Sequence, residues 1–259
     1  TSGKFFKIVG LKVYSNFFKK NWDQPIIIQK EIGILGIIKS KNKYLLQAKV
    51  LSPGGSTAAV LKRRLELVTE AVSQRYSDVL ACDINLLDGE NFLCELNLGG
   101  EDSLERSGRL VEMICELTLR LTPVKCRFAF AQNEKELLAA FEEAQRNRLF
   151  FAARGFDELS NRSLTGAVSS IGGLLWDWTE RQSQFVRALL RDGVVAVDAN
   201  NDLQFVKERK RRELSAFFKV SPSVITECLQ AANVKRFRYQ VFTATVMLDK
   251  SVACEVVTA

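Results

Sequence analysis

Residues 79–98 read VLACDINLLDGENFLCELNL, and the predicted fold is built outward from this stretch. Apolar residues stand on both sides of Asp88-Gly89, a dipeptide that is typical of a tight turn between antiparallel strands. We therefore predict one strand over Val79–Ile84 and a second over Asn91–Leu98. The segments on either side of this hairpin carry the patterns of helices.

Helices and a further strand flank the hairpin in an order that indicates a fold class. Helix, strand, strand, helix, strand, helix over residues 57–150 is typical of a ferredoxin-like or palm-type α/β sandwich whose first strand is missing or borrowed. We therefore assign the chain to the α/β (α+β) class. The predicted flanking elements are helices at Thr57–Tyr76 and Ser103–Thr122, a strand at Val124–Ala131, and a helix with Asn133 as its N-cap.

The use of basic residues changes abruptly near residue 52. The first fifty residues contain ten Lys and no Arg, whereas residues 51–199 contain three Lys and fourteen Arg. The change coincides with Ser52–Ser56, a Pro-Gly-Gly stretch typical of a linker, so a fused or composite chain is one interpretation. We predict a β-rich segment (1–52), an α/β sandwich domain (56–155), a helical region (156–240) and a terminal β hairpin (241–259) that could pair with a second copy in a homodimer.

Composition excludes several classes of chemistry. The chain has no histidine, which rules out His-based triads and proton shuttles within it. No apolar run approaches the ~20 residues of a membrane span and no signal-peptide block is present, so we expect a cytoplasmic protein without a membrane partner. The six Cys form no CxxC pair and should be reduced thiols.

The acidic residues of the hairpin are candidate ligands for a metal ion. Asp83, Asp88 and Glu90 offer the oxygen ligands that hard cations prefer. A solvated acidic turn explains them more simply, so the sequence predicts neither a metal nor a cofactor. It identifies no catalytic residue and leaves open whether the chain is an enzyme.

The spacing in residues 207–234 predicts a helix-turn-helix. We expect one helix over Lys207–Phe218, a turn over Lys219–Ser221, and a second helix capped by Ser221 or Ser223. Lys219 stands where many such motifs have Gly. The predicted packing residues are Leu214, Ala216, Phe217 and Val220 on the first helix and turn, and Val224, Ile225, Leu229 and Ala232 on the second helix.

This motif makes DNA the leading candidate partner. Early exposed positions of the second helix face base edges in such motifs, and nearby cations contact phosphate. A plain helical hairpin with a solvated basic face is the alternative, and Glu227 would repel phosphate. The predicted DNA-binding residues are Arg209, Arg211, Arg212, Lys219, Ser221, Ser223, Thr226, Lys235 and Arg236.

Residues of about 56–240 resemble the SatD family. The resemblance rests on Trp178-Thr179-Glu180-Arg181-Gln182, followed by an apolar helix and the helix-turn-helix spacing. It implies a nucleotide-cyclase-like α/β domain followed by a DNA-binding-type helical tail, and our leading hypothesis is a DNA-binding or regulatory protein. The Gly-Asp-Glu-Phe-Gln-like signature of that family is replaced by Asp88-Gly89-Glu90-Asn91-Phe92.

Residues 4–53 are similar to another family, the NDP-hexose 2,3-dehydratases. Phe5–Val13, Trp22–Pro25, Gly33–Gly36 and Leu46–Lys49 carry the similarity, and the family's next block is reduced to Ser52-Pro53-Gly54. The first alternative function is therefore a dehydratase-like enzyme or a nucleotide-sugar-binding protein, and the second is a non-catalytic interaction protein. The resemblance implies a β-rich pocket in which sugar or diphosphate would contact Trp22, Gln24, Gln47 and Lys49.

Overall fold

The structure is a computed structural model that describes residues 43–256, with side chains as far as Ala253. Seven strands and eight helices lie in this part of the chain. The strands are β1 (Lys43–Ser52), β2 (Asn85–Leu86), β3 (Asn91–Asn97), β4 (Lys125–Ala131), β5 (Phe151–Arg154), β6 (Val195–Val197) and β7 (Leu203–Phe205). The helices are α1 (Ala58–Arg75), α2 (Ser103–Leu121), α3 (Glu134–Arg146), α4 (Glu158–Asp177), α5 (Glu180–Leu189), α6 (Arg211–Phe218), α7 (Pro222–Ala231) and α8 (Val234–Val256).

A five-stranded mixed sheet forms the centre of the fold, with strand order β2-β3-β1-β4-β5. β1 pairs antiparallel with both β3 and β4, and β5 pairs parallel with β4. The first four strands, with α1 and α2 between them, reproduce the β-α-β-β-α-β order of a ferredoxin-like sandwich. The predicted α/β class is confirmed, and β1 is the first strand of this order.

The position of β1 corrects the predicted domain organisation. Leu46 and Ala48 are fully buried, and alternate residues of β1 point into the core. β1 belongs to the unit that runs from residue 42 to residue 259, so the predicted boundary between 1–52 and 56–155 cuts through one sheet. The stretch predicted to be a linker forms the β1–α1 loop. Gly54 and Gly55 adopt positive φ angles of 61° and 82° in this loop. Glycine favours tight turns as well as linkers.

Local signals located the ends of several helices correctly. Thr57 caps α1 by accepting a hydrogen bond from the Val60 N–H at 3.4 Å. Asn133 caps α3 in the same way, accepting from the Glu136 N–H at 3.0 Å. These side chains satisfy N–H groups that the first turn of a helix leaves unpaired.

The long helical region after residue 157 is interrupted at Trp178 and Thr179. α4 runs through Gly172-Gly173 and ends at Asp177, where Trp178 becomes extended. Thr179 and Gln182 then form a reciprocal capping box that starts α5. Gly172 lies so close to the Phe150 ring that a Cβ at this position would come within 1.9 Å of it. Its role is therefore close packing and not helix termination.

The C-terminal end is helical, so the predicted hairpin at 241–259 is wrong for the residues that the structure describes. α8 continues to Val256 and packs against α2 and α4. Its buried apolar residues recur at steps of three and four, which is the period of a helix. They are Val234, Phe237, Val241, Ala244, Leu248 and Val252. Without that strand, the expectation of a homodimer loses its stated basis.

Two expectations from composition concern thiols and membranes. The five cysteines from Cys82 to Cys228 are free thiols. Cys94, Cys115 and Cys126 are buried, and burial raises the pKa of the Cys126 thiol to about 12. Between residues 43 and 256, no helix combines the length and apolar character that a membrane span requires.

Candidate nucleic-acid interface

Two short helices, α6 and α7, are joined by a turn in the segment where a helix-turn-helix is predicted, and both pack on α5. Leu214 of α6 and Ile225 and Leu229 of α7 are buried between them. The Phe218 ring at the end of α6 lies 4.7 Å from the ring of Phe185 on α5. The apolar spacing in the sequence therefore holds the two helices together and leaves the opposite side of α7 facing solvent.

The turn between the helices is held by Ser215 and Lys219. Lys219 adopts a left-handed conformation with φ of +53°, the conformation that glycine takes at low cost. The Ser215 hydroxyl donates to the Val220 carbonyl at 2.5 Å, and the Val220 N–H donates to the Ser215 carbonyl at 3.2 Å. These bonds fix the turn even though a lysine occupies the glycine position.

Three details of the predicted motif need correction. The first helix starts at Arg211, and residues 207–210 precede it as irregular chain. Ala216 is exposed and Phe217 is 76% exposed, so neither packs against α7. The small residue of the motif is Ser215, one position before the predicted Ala216. The packed aromatic residue is Phe218, one position after the predicted Phe217.

The predicted base-reading residues lie on the solvent side of α7. Ser223 is exposed, and Ser221 caps the helix by accepting from the Val224 N–H at 3.4 Å. Thr226 is half-buried and accepts a hydrogen bond from Nη1 of Arg211 at 3.3 Å. Exposed Glu227 lies beside Thr226 on this side. The solvent side of α7 is therefore polar, and Arg211 of α6 contacts it through Thr226.

The predicted phosphate-contacting cations differ in how they are engaged. Nε of Arg209 lies 3.5 Å from a carboxylate oxygen of Asp192, which neutralises part of its charge. Apart from Arg209 and Arg211, the predicted cations are exposed, and they form no salt bridge with any residue that the structure describes. They are Arg212, Lys219, Lys235 and Arg236.

Only half of the alternative nucleotide-sugar site falls within the described chain. Trp22 and Gln24 lie outside the described residues. Gln47 and Lys49 are half-buried on β1, on the face opposite the core residues. Lys49 stands opposite Asn91 and Arg127 in the sheet register. Of the four predicted ligand-binding residues, Gln47 and Lys49 therefore lie on the same face of the sheet.

The acidic hairpin uses its main carboxylate to stabilise the turn. Oδ1 of Asp88 accepts hydrogen bonds from the N–H groups of Glu90 and Asn91, each at 2.7 Å. The Asn91 amide donates to the same carboxylate at 2.8 and 2.9 Å. In residues 43–256 there is no group of three or more His, Cys, Asp or Glu side chains placed to hold a metal ion.

Sequence reasoning missed a buried ionic cluster that joins α1, α2 and α5. The Glu116 carboxylate lies 2.5 Å from Nε of Arg120 and 3.8 Å from both Arg75 and Arg187. Its side chain is only 11% exposed. Arg75 and Arg187 are 112 positions apart, so no local pattern in the sequence could have placed them together.

A second carboxylate, Glu112, anchors the β6–β7 region to α2. It accepts hydrogen bonds from the N–H groups of Val194 and Val195 at 2.6 and 3.0 Å. Burial raises the pKa of Glu112, although these bonds and Arg109 oppose the shift. Burial and the nearby Glu112 charge also raise the pKa of Tyr76, whose ring lies under the Arg109 guanidinium at 4.4 Å. A cavity of about 20 Å³ between these groups has room for about one water molecule.

Comparison with known proteins gives one partial match. A family model described as NDP-hexose 2,3-dehydratase matches residues 1–59. The match contains β1 and ends in the first turn of α1, and it includes neither β3 nor β4, the strands that pair with β1. No curated protein and no solved structure matches the chain. These comparisons give no support to the resemblance of residues 56–240 to the SatD family.

Proposed function

We propose that the chain is a DNA-binding, regulatory protein that places α7 in the major groove of duplex DNA. The observation that carries the proposal is the two-sided character of α7. Ile225 and Leu229 are buried against α5 and α6, whereas Ser223 faces solvent at the start of the helix. A second helix held in this way is the arrangement by which helix-turn-helix proteins approach base edges.

Charge supports the same surface. Arg211, Arg212 and Lys219 lie at the start of α6 and in the turn, and Lys235 and Arg236 begin α8 directly after α7. Residues 200–240 carry a net charge of +5, whereas residues 51–199 carry −5. Exposed cations around one helix provide the affinity for phosphate that positions a protein on DNA. Glu227 would be tolerated away from the phosphates or as an acceptor from cytosine.

The proposal can be tested by fluorescence anisotropy with a pool of labelled random duplexes at low salt. Wild type is expected to bind, and the double variant Arg211→Ala/Arg212→Ala to bind much more weakly. Lys62→Ala/Arg63→Ala removes the same charge from the exposed side of α1 and serves as the matched control. Absence of wild-type binding, or equal losses in both double variants, would contradict the proposal.

Nucleotide-sugar binding is the second candidate, favoured by the family match over residues 1–59. The matched segment includes Gln47 and Lys49, which share one face of β1. A lysine ammonium suits the diphosphate of such a ligand as a point charge. This candidate concerns binding or dehydration at the N-terminal end and is compatible with DNA contact by α7.

A thermal-shift panel of dTDP-sugars and other nucleotide-sugars separates this candidate from the first. A ligand that binds the native state raises the melting temperature. We expect the increase to be lost in Trp22→Ala and Lys49→Ala and kept in Lys125→Ala, an exposed lysine of β4. An unchanged melting temperature across the panel removes nucleotide-sugar binding from consideration.

A further inference from the structure

Three aromatic rings form a surface cluster on the side of α8 that contacts β7. The Phe205 ring lies 5.2 Å from Tyr239 and 5.3 Å from Phe242. Tyr239 is 55% exposed and Phe205 is 37% exposed. Single exposed apolar residues are common on protein surfaces, but contiguous exposed groups more often mark binding sites. This aromatic cluster has no part in the helix-turn-helix core.

Positive charge surrounds the aromatic cluster. Lys235 and Arg236 precede Tyr239 by four and three residues, so they share its side of α8, and both are exposed. Exposed Lys207 follows Phe205 by two residues. The carboxylate of Glu208, the residue after Lys207, is neutralised by Arg238 at 2.5 Å, and the Arg238 guanidinium also lies 4.8 Å from the Phe205 ring centroid.

We infer that this aromatic cluster binds unpaired nucleotides, with a base stacked on the exposed Tyr239 ring and a phosphate near Lys207. Exposed rings flanked by cations are the features by which proteins hold single-stranded nucleic acid without reading its sequence. The positive charge favours a polyanionic partner over an apolar protein surface. This inference goes beyond duplex recognition by α7 and does not require it.

Titration of the full chain with labelled single-stranded oligothymidylate tests the inference. Tyr239→Ala should weaken binding by about 5- to 150-fold, the range for one stacked base. Tyr239→Phe retains the ring and should bind like wild type, which distinguishes stacking from loss of a hydroxyl contact. Leu159→Ala changes another exposed apolar side chain, on α4, and should have no effect.

Salt dependence separates this surface from the proposed duplex site. Lys207→Ala should reduce the salt slope for single strands by about 0.7, the contribution of one phosphate contact. Tyr239→Ala should leave duplex affinity unchanged, and Arg211→Ala/Arg212→Ala should leave single-strand affinity unchanged. Failure of duplex binding alone therefore leaves this inference standing.

Two results would overturn the inference. The first is equal single-strand affinity in wild type and Tyr239→Ala. The second is self-association in sedimentation velocity that Tyr239→Ala abolishes without any change in single-strand affinity, because that would make the aromatic cluster a contact between copies of the chain.

Discussion

The molecule contains two groups of cationic side chains that differ in burial and in pairing with carboxylates. Around Glu116, the arginines 75, 120 and 187 are partly buried and converge on one carboxylate. Around α7, Arg212 and Lys219 are exposed and pair with no described carboxylate. The first arrangement joins helices within the fold, and the second leaves its charge available to a partner. Pairing and burial therefore indicate the role of these cations better than the local density of charge does.

The largest effect on stability is expected from Glu116→Gln. The substitution leaves three arginines without their shared carboxylate, and loss of one partner from a buried pair is strongly destabilising. Because the arginine side chains are about 27–30% exposed, we expect a loss of about 2–3 kcal/mol in the free energy of unfolding, measured with urea.

Glu158→Gln provides the matched control for that measurement. Glu158 pairs with Arg162 at 2.6 Å with the same four-residue spacing, but both side chains are 77% exposed. Its loss should cost less than about 1 kcal/mol. Similar losses in the two variants would remove the contrast between the buried and exposed cations.

A smaller, pH-dependent effect is expected at Glu112. Because its pKa is raised in the folded state, the folded carboxyl keeps its proton at pH values where the unfolded one has lost it. Its contribution to stability is present below the ordinary carboxyl pKa of 4.5 and is lost as the pH rises through the folded pKa. Glu112→Gln keeps an acceptor for Val194 and Val195 but does not titrate.

The stability difference between wild type and Glu112→Gln should therefore fall as the pH rises above the ordinary carboxyl pKa of 4.5. Urea unfolding of both proteins at several pH values measures this difference and cancels titration elsewhere in the chain. A difference that stays constant, or grows with pH, would show that burial does not govern this carboxyl.

The smallest effect is expected at Lys219. Lys219→Gly relieves a left-handed conformation and should stabilise the protein by about 1 kcal/mol, while removing one proposed phosphate contact. The melting temperature should therefore rise, while the duplex affinity measured by anisotropy should fall. Asn233 also has a positive φ, but asparagine tolerates it better, so Asn233→Gly should stabilise less. A destabilised Lys219→Gly variant would show that the lysine supports the turn.

The sequence predicted elements whose signals are local. The Asp88-Gly89 turn, the Asn133 cap and the amphipathic α1 and α2 each follow from residues within one or two turns of one another. The apolar spacing that joins α6 and α7 belongs to the same class. The start of α6 was misplaced because that end of the helix carries no side-chain cap.

Elements that depend on distant partners were missed or misread. β1 was separated from its sheet because a glycine-rich loop follows it, and only pairing with β3 and β4 reveals where it belongs. The valines and threonines of α8 favour strands locally, but packing against α2 and α4 makes that segment helical. The Glu116 cluster depends wholly on contacts between separate helices.

The salt dependence of duplex DNA binding tests the central claim most directly. For wild type, the logarithm of the association constant should fall linearly with the logarithm of salt concentration. Arg211→Ala/Arg212→Ala should reduce that slope by about 2, with an unchanged melting temperature, whereas Lys62→Ala/Arg63→Ala should leave the slope unchanged. No duplex binding at low salt, or the same slope in all three proteins, would contradict DNA binding by α6 and α7.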